Sequence, residues 1–281
     1  MKFIPAFLAV MFFCAGASAE IGRTDRRVDV SASWSQHPYN LIGRLLMPGV
    51  CTGQYVGPDL ILTAAHCVDQ SGFNSFQTYR GSTTVRLLAH GGGWGAITDW
   101  ALYRIDDANF HIHGGWFSVA TNSRMDVPLQ SAGFGALRVL TDSEIDIILD
   151  AMIYILERDE NNIHITRVRL DHTNKQFIQD LETELARRGI NPIFDDSDRL
   201  KSVRNCATVN AASGDFLAND CETWPGNSGG AVWTGAMGAP TVVGVVFAAA
   251  QRIGMESRIN ARAVRSENFR RAVQEHLGAR P

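Results

Sequence analysis

The chain has 281 residues, which is long enough for one large domain or two small ones. A hydrophobic share of 45% and a charged share of 20% are ordinary for a globular protein. The net charge of -3 argues against a nucleic-acid-binding protein, because such a protein would carry a basic face.

Residues 1–19 have the pattern of a secretory signal peptide. A positive start is followed by the apolar run Phe3–Cys14, and Ala17–Ala19 has the small residues that precede cleavage. A lipid anchor on Cys14 is the alternative, but the bulky Phe13 before it disfavours that reading. No segment reaches the roughly 20 apolar residues that a bilayer span requires. We expect a secreted or periplasmic domain at 20–281 that has no membrane contact.

Removal of the signal peptide leaves four cysteines, and an even number in an exported chain indicates two disulfides. Three pairings are possible, and pairing of neighbours is the most economical; each loop of roughly 15 residues is then worth about 3 kcal/mol in the chain-entropy model. A metal site is disfavoured because there is no C-x-x-C motif or close Cys/His cluster. We expect neither a metal nor another cofactor. The expected pairs are Cys51–Cys67 and Cys206–Cys221.

Two strands carry candidate catalytic side chains. The apolar run Leu60–Thr63 predicts a buried strand that ends at a short helical turn, which would present His66 at the mouth of a core. Asp99 heads the alternating segment that runs to Ile105, so we expect it at the start of a second strand. A carboxylate placed there could orient the imidazole of His66.

The middle of the chain, residues 141–200, has helical rather than strand periodicity. A first helix is indicated by N-cap residues at 141–144 followed by apolar side chains at helical spacing, and 163–170 alternates like a short strand. A second helix, Asn174–Arg188, should end at Gly189. The apolar positions of the two helices are Ile145, Ile148, Met152 and Ile155, and Phe177, Ile178, Leu181 and Leu185.

A serine surrounded by glycines follows in NDCETWPGNSGGAV, residues 219–232. Ser228 lies between Gly226 and the pair Gly229–Gly230, and glycine is favoured where the backbone is strained or approaches another group closely. At the end of the chain, Ser266 would cap a helix that carries Phe269 and Val273 on one face.

The order His66, Asp99, Ser228, within LTAAHC, DWAL and GNSGG, resembles the chymotrypsin-like serine proteases. The segments RTDRRVDVSASWSQHPYNLIGRLL and CTGQYVGPDLILTAAHC are similar to the bacterial glutamyl-endopeptidase, or V8-like, branch. The resemblance covers roughly 25–135 and 201–265. It implies an all-β fold of two six-stranded Greek-key β-barrels with the active site between them, a helical insertion at 141–200, and a C-terminal helix on the second barrel.

The resemblance also implies a chemistry. Ser228 would be the nucleophile, His66 its general base, and Asp99 the residue that holds the imidazole tautomer. The N–H groups of Gly226 and Ser228 would form the oxyanion hole. The implied protein is a monomeric serine endopeptidase that acts on protein or peptide substrates. Alternatives are a non-catalytic binding module, and an esterase-like hydrolase with the same triad.

The expected substrate pocket departs from the V8-like branch. Val246 stands where that branch has a histidine that meets a substrate carboxylate, which argues against glutamate preference, although Thr223 matches. A pocket for small or apolar side chains is favoured over a basic preference, which an inward Glu222 would give. The expected pocket residues are Glu222, Thr223, Val246, Phe247 and Ala249.

Two further features are left open. Asn227 replaces the aspartate that pairs with a new N-terminus in the digestive enzymes, so activation by that ion pair is not expected. Arg26–Arg27 could be a propeptide cleavage point, although uncleaved sequence is favoured. The insertion at 141–200 is expected to pack on the protein as a helical layer; the alternative is a lid or a docking element for a partner.

Overall fold

The computed structural model describes the chain from Arg26 to Gly278, with gaps, so the predicted signal peptide lies outside the described part. The described residues are 26–47, 49–69, 71–92, 97–113, 115–123, 127–135, 143–144, 147, 151, 175–190, 198–208, 216–223, 226–236, 238–250 and 260–278.

Strands dominate these residues, as the sequence predicts. In chain order they are β1 (Val28–Asp29), β2 (Ile42–Met47), β3 (Gly49–Tyr55), β4 (Leu60–Thr63), β5 (Phe73–Thr78), β6 (Gly81–His90), β7 (Ala101–Ile105), β8 (Ser118–Val119), β9 (Leu129–Gly133), β10 (Lys201–Cys206), β11 (Leu217–Asn219), β12 (Ala231–Thr234), β13 (Thr241–Ala250) and β14 (Asn260–Arg265).

Strands β2 to β7 form a closed barrel in the order β2-β3-β4-β7-β6-β5. The predicted strand Leu60–Thr63 is β4 with the same bounds, and all four of its residues are buried. Aromatic side chains fill the interior, where the rings of Tyr55 and Phe76 meet edge to face at 5.7 Å. The first predicted six-stranded barrel is therefore confirmed.

The remaining strands form an eight-stranded sheet along the path β1-β10-β9-β12-β13-β14-β11, with β8 paired in parallel to β13. Its six-strand antiparallel part, β9 to β14, corresponds to the predicted second barrel. The end strands of that part meet at a bridge between Thr208 and Asn219 and at the disulfide Cys206–Cys221. The sheet therefore curls onto itself, and the short strands β1 and β8 extend it beyond the six expected.

The second predicted helix of the insertion is present as α1, Lys175–Arg187. Leu181 and Leu185 are buried, and the turn that follows the helix contains Gly189, after which the Ile190 N–H donates to the Leu185 carbonyl at 2.9 Å. The side chains of Phe177 and Ile178 lie outside the described set. Of the first predicted helix, Ser143, Glu144, Ile147 and Ala151 are described and are helical; the predicted strand 163–170 is not described.

The C-terminal helix is α2, Arg270–Gly278, and it corrects one expectation. The turn that precedes it is held to the second sheet through Ser266, which lies 3.3 Å from Ser123 Oγ. The helix itself reaches the first barrel, because Arg104 Nη2 donates to the His276 carbonyl at 3.1 Å. The turn before the helix thus contacts the second sheet, and the helix itself contacts the first barrel. No helix in the described ranges is long and apolar enough to cross a membrane.

Candidate active site

The sequence-predicted pair of His66 and Asp99 is in direct contact. His66 lies in the short helical turn Ala65–Cys67 that follows β4, and its Nδ1 is 2.9 Å from Asp99 Oδ2. The His66 backbone N–H also donates to Asp99 Oδ1 at 3.0 Å. Asp99 has no exposed surface, whereas the His66 side chain is 17% exposed. The carboxylate thus fixes the ring, and an Nδ1–H tautomer leaves Nε2 as the proton acceptor.

A buried amide supports the histidine turn from the other side. Asn74 Nδ2 donates to the Cys67 carbonyl at 3.0 Å and to the Tyr103 hydroxyl at 3.1 Å. Burial raises the pKa of Tyr103 to about 12, so the phenol stays protonated at neutral pH. On this side, opposite the Asp99 carboxylate, the turn that carries His66 is therefore held by uncharged hydrogen-bonding groups.

The candidate nucleophile Ser228 is attached to the first barrel through its backbone. The Thr52 N–H donates to the Ser228 carbonyl at 2.7 Å, and Cys67 Sγ lies 3.8 Å from the same oxygen. The predicted disulfide Cys51–Cys67 is confirmed, and it joins the residue before Thr52 to the residue after His66. One covalent link therefore holds both the histidine and the strand on which the serine loop is seated.

Gly229 explains why a bare backbone follows the serine. Its φ is +84°, and a Cβ there would lie 2.1 Å from both the Thr52 carbonyl oxygen and Thr63 Oγ1. The Gly229 N–H donates to the Val246 carbonyl at 2.7 Å, which attaches the loop to β13 as well. Only glycine allows the chain to pass between the two barrels at this point.

Thr52 is a residue that the sequence reading missed. Its hydroxyl donates to the Gly226 carbonyl at 2.9 Å and accepts from the Phe134 N–H at 2.9 Å, and its own carbonyl accepts from Thr63 Oγ1 at 2.7 Å. Gly226, a predicted oxyanion-hole residue, has φ +98°, a conformation that L side chains rarely adopt. In sequence, Thr52 is an ordinary strand residue, and its position after Cys51 is the one signal that could have drawn attention to it.

The predicted disulfide Cys206–Cys221 is also confirmed, and it anchors the loop that carries the expected pocket residues. Glu222 and Thr223 directly follow Cys221, which this disulfide joins to the end of β10. Glu222, Thr223, Val246 and Phe247 are buried. The side chain of Ala249 lies outside the described set.

Among the expected pocket residues, Phe247 makes an aromatic contact and Thr223 contributes a buried hydroxyl. The Phe247 ring packs on the Phe216 ring with centroids 5.0 Å apart. Within the described part of the chain, the Thr223 hydroxyl is buried and has no hydrogen-bond partner. A buried hydroxyl of this kind is suited to a ligand that brings its own donor or acceptor.

Arg26 is the second residue that the sequence reading did not connect to the site. Its Nε donates to Glu222 Oε1 and its Nη2 donates to the Asp220 carbonyl, while Nη2 lies 3.6 Å from Asp220 Oδ2. A guanidinium of the protein already contacts Glu222. This contact argues against the expectation that Glu222 receives a basic substrate side chain.

One group of possible metal ligands occurs in the described ranges, formed by Cys51, His66 and Cys67 within 4.8 Å of one another. The two sulfurs are bonded to each other, so they are not the thiolates that bind zinc.

Comparison with known proteins agrees with this geometry. A family model for a trypsin-like peptidase domain matches residues 51–245, more than half of the chain. A solved Glu endopeptidase in complex with MPD aligns with TM-score 0.54 and 15% identity, over 90% of this chain and 97% of that one. Neuropsin, a serine protease expressed in mouse brain, aligns with TM-score 0.51 and 12% identity, over 86% of this chain and 96% of its own. At such identities the two structures show the fold alone, and no curated protein matches.

Proposed function

Because the chain belongs to the trypsin-like peptidase family, we propose that it is an exported serine endopeptidase that cleaves protein or peptide substrates through an acyl-enzyme. One observation carries this proposal. The buried Asp99 contacts His66 in the first barrel, and the backbone of Ser228 is hydrogen-bonded to the same barrel through Thr52. A secreted or periplasmic location accords with the two disulfides.

In the proposed reaction, Ser228, His66 and Asp99 each have one role. His66 Nε2 takes the proton of Ser228 Oγ as the oxygen attacks the scissile carbonyl, and it returns that proton to the leaving amine. Asp99 holds the imidazole tautomer and stabilises the imidazolium. Water then hydrolyses the ester on Ser228 by the same route.

The oxyanion of the tetrahedral intermediate requires fixed donors, which we assign to the N–H groups of Gly226 and Ser228. Thr52 supports this role because it binds the carbonyls of both residues. Loss of one such donor typically costs about 10²–10³ in rate. The proposed reaction therefore uses only backbone N–H groups and side chains of the chain itself.

The insertion at 141–200 we assign to packing rather than to partner docking. Leu181 and Leu185, on one face of α1, are 3% and 2% exposed, so the apolar stripe they form is already covered. An exposed stripe would instead mark a binding surface. We propose that the protein acts as a monomer.

Turnover of matched amide and ester substrates tests the proposal. The oxidised protein should hydrolyse both peptide and ester substrates, and Ser228→Ala should abolish both activities. Ser82→Ala, at an exposed position on β6, is the control and should retain them. Fast ester hydrolysis with background amide cleavage would favour an esterase, and inactivity toward both would favour a binding module.

A further inference from the structure

We propose that Arg26 sets the primary specificity of the enzyme by neutralising Glu222 in the pocket wall, so that loss of Arg26 creates a preference for basic substrate side chains. The proposal rests on the peptidase function proposed above and concerns the same site. It assigns a specificity role to a residue 196 positions from its partner and close to the beginning of the domain.

The contacts form a built ion-pair cluster rather than a surface encounter. The side chains of Asp220 and Glu222 are each 8% exposed, and that of Arg26 is 32% exposed. Asp220 Oδ1 also accepts from the Ala207 N–H at 2.5 Å, which fixes this carboxylate beside the bridge that closes the second sheet. The guanidinium therefore lies against two carboxylates that the solvent hardly reaches.

The position of Glu222 connects this cluster to the substrate. Glu222 directly follows Cys221 and stands six residues before Ser228 in the chain. Its neighbour Thr223 and the strand residues Val246 and Phe247 are buried in the same region. A carboxylate as buried as that of Glu222 requires a cation, because an unpaired buried charge is costly.

The chain delivers this cation from an edge of the second sheet. Arg26 precedes β1, which pairs with β10 through the two positions Val28↔Ser202 and Asp29↔Lys201. Asp29 is further held by Arg199 Nη1 at 2.8 Å. With Arg26 in place Glu222 is paired with a cation, and small or apolar substrate side chains are accepted. Without Arg26, a substrate lysine or arginine would supply the missing cation to Glu222.

Substitutions at both ends of the pair test the proposal. Arg26→Met removes the charge and keeps an unbranched apolar stem, whereas Arg26→Lys keeps the charge. Cleavage of matched chromogenic peptides that differ only in a Lys, Leu or Ala before the scissile bond gives kcat/KM for each variant. Active sites are counted with a fluorophosphonate probe, so that losses of folded enzyme do not enter the ratio.

The expected result is a rise of at least about 10-fold in the Lys-to-Leu ratio of kcat/KM for Arg26→Met, which corresponds to about 1.4 kcal/mol. Arg26→Lys should stay within about 3-fold of the wild type, and Arg26→Met combined with Glu222→Gln should lose the gain. Arg86→Met, which removes an exposed arginine on β6 of the first barrel that pairs with Asp106, is the matched control and should leave the ratio unchanged.

A Lys-to-Leu ratio for Arg26→Met within about 2-fold of the wild type would overturn the proposal. So would a gain that persists in the double variant, because Glu222 would then not be its source. Should Arg26→Met and the double variant both fail to take up the probe, Arg26 is a scaffold residue and the proposal is wrong. Failure of the wild type itself to react would instead refute the peptidase function.

Discussion

Thr52→Val should damage both the stability and the activity of the protein without changing the shape of the side chain. The substitution removes a hydroxyl that bonds to the Gly226 carbonyl and the Phe134 N–H, each at 2.9 Å, in a residue that has no exposed surface. Each of these buried groups left unsatisfied costs about 1–3 kcal/mol, so we expect a loss of about 2–4 kcal/mol in unfolding free energy. A domain stable by about 5–15 kcal/mol remains folded after such a loss.

The effect on chemistry should exceed that on the folded population. Gly226 loses the bond that orients its carbonyl, and a displaced oxyanion donor costs up to about 10²–10³ in rate. Urea unfolding gives the stability, and the second-order rate of fluorophosphonate labelling gives the reactivity of the folded enzyme. Thr52→Ser, which keeps the hydroxyl, should label faster than Thr52→Val.

Thr83→Val is the control for Thr52→Val. Thr83 is a buried strand threonine on β6 in the first barrel, and no hydrogen bond of its hydroxyl is found within the described ranges. The role given to the Thr52 hydroxyl is wrong if Thr52→Val lowers the unfolding free energy by less than about 1 kcal/mol and its labelling rate is within about 2-fold of the wild type.

Three further substitutions probe other parts of the account. Asp99→Asn should lower kcat by about 10⁴-fold in peptide assays, because the amide favours the wrong imidazole tautomer. The circular dichroism spectrum should stay unchanged, and a loss of kcat under about 10-fold would contradict this role of Asp99. Gly229→Ala should abolish labelling, since its Cβ would lie 2.1 Å from two oxygens, whereas Gly238→Ala, with no atom within 4 Å, should label normally; equal labelling would count against the close approach. Burial raises the pKa of Glu267, but hydrogen bonds from Ser123 outweigh burial and hold that pKa below its ordinary 4.5. The stability that these hydrogen bonds give is present above pH 4.5 and is lost as the pH falls through the lowered pKa. The loss of unfolding free energy in Glu267→Gln should therefore be largest near neutral pH and shrink in acid, and a constant loss across pH would refute the linkage.

Local sequence signals predicted the parts of the site that depend on neighbours along the chain. The run Leu60–Thr63 became β4 with the same bounds, and the glycines beside Ser228 marked a close backbone approach that Gly229 makes. The disulfides followed from cysteine parity and short loops. The contact of Asp99 with His66 was expected from the position of Asp99 at the head of an alternating segment, and the family resemblance implied the same pair.

The parts that could not be predicted are contacts between distant segments. Thr52 bonds to Gly226 across 174 positions, and Arg26 bonds to Glu222 across 196. Neither residue has a local pattern that distinguishes it, because a strand threonine and an arginine near the start of a domain are common. The C-terminal helix was misplaced for the same reason, since the Arg104–His276 bond is a property of packing.

The most direct test of the central claim is the site of covalent labelling. The oxidised protein is treated with a fluorophosphonate, digested, and mapped by mass spectrometry. We expect one adduct, on Ser228, that is lost in His66→Ala and in Ser228→Ala. No adduct on the correctly oxidised protein, or an adduct on another serine that persists in Ser228→Ala, would contradict a Ser228 nucleophile activated by His66.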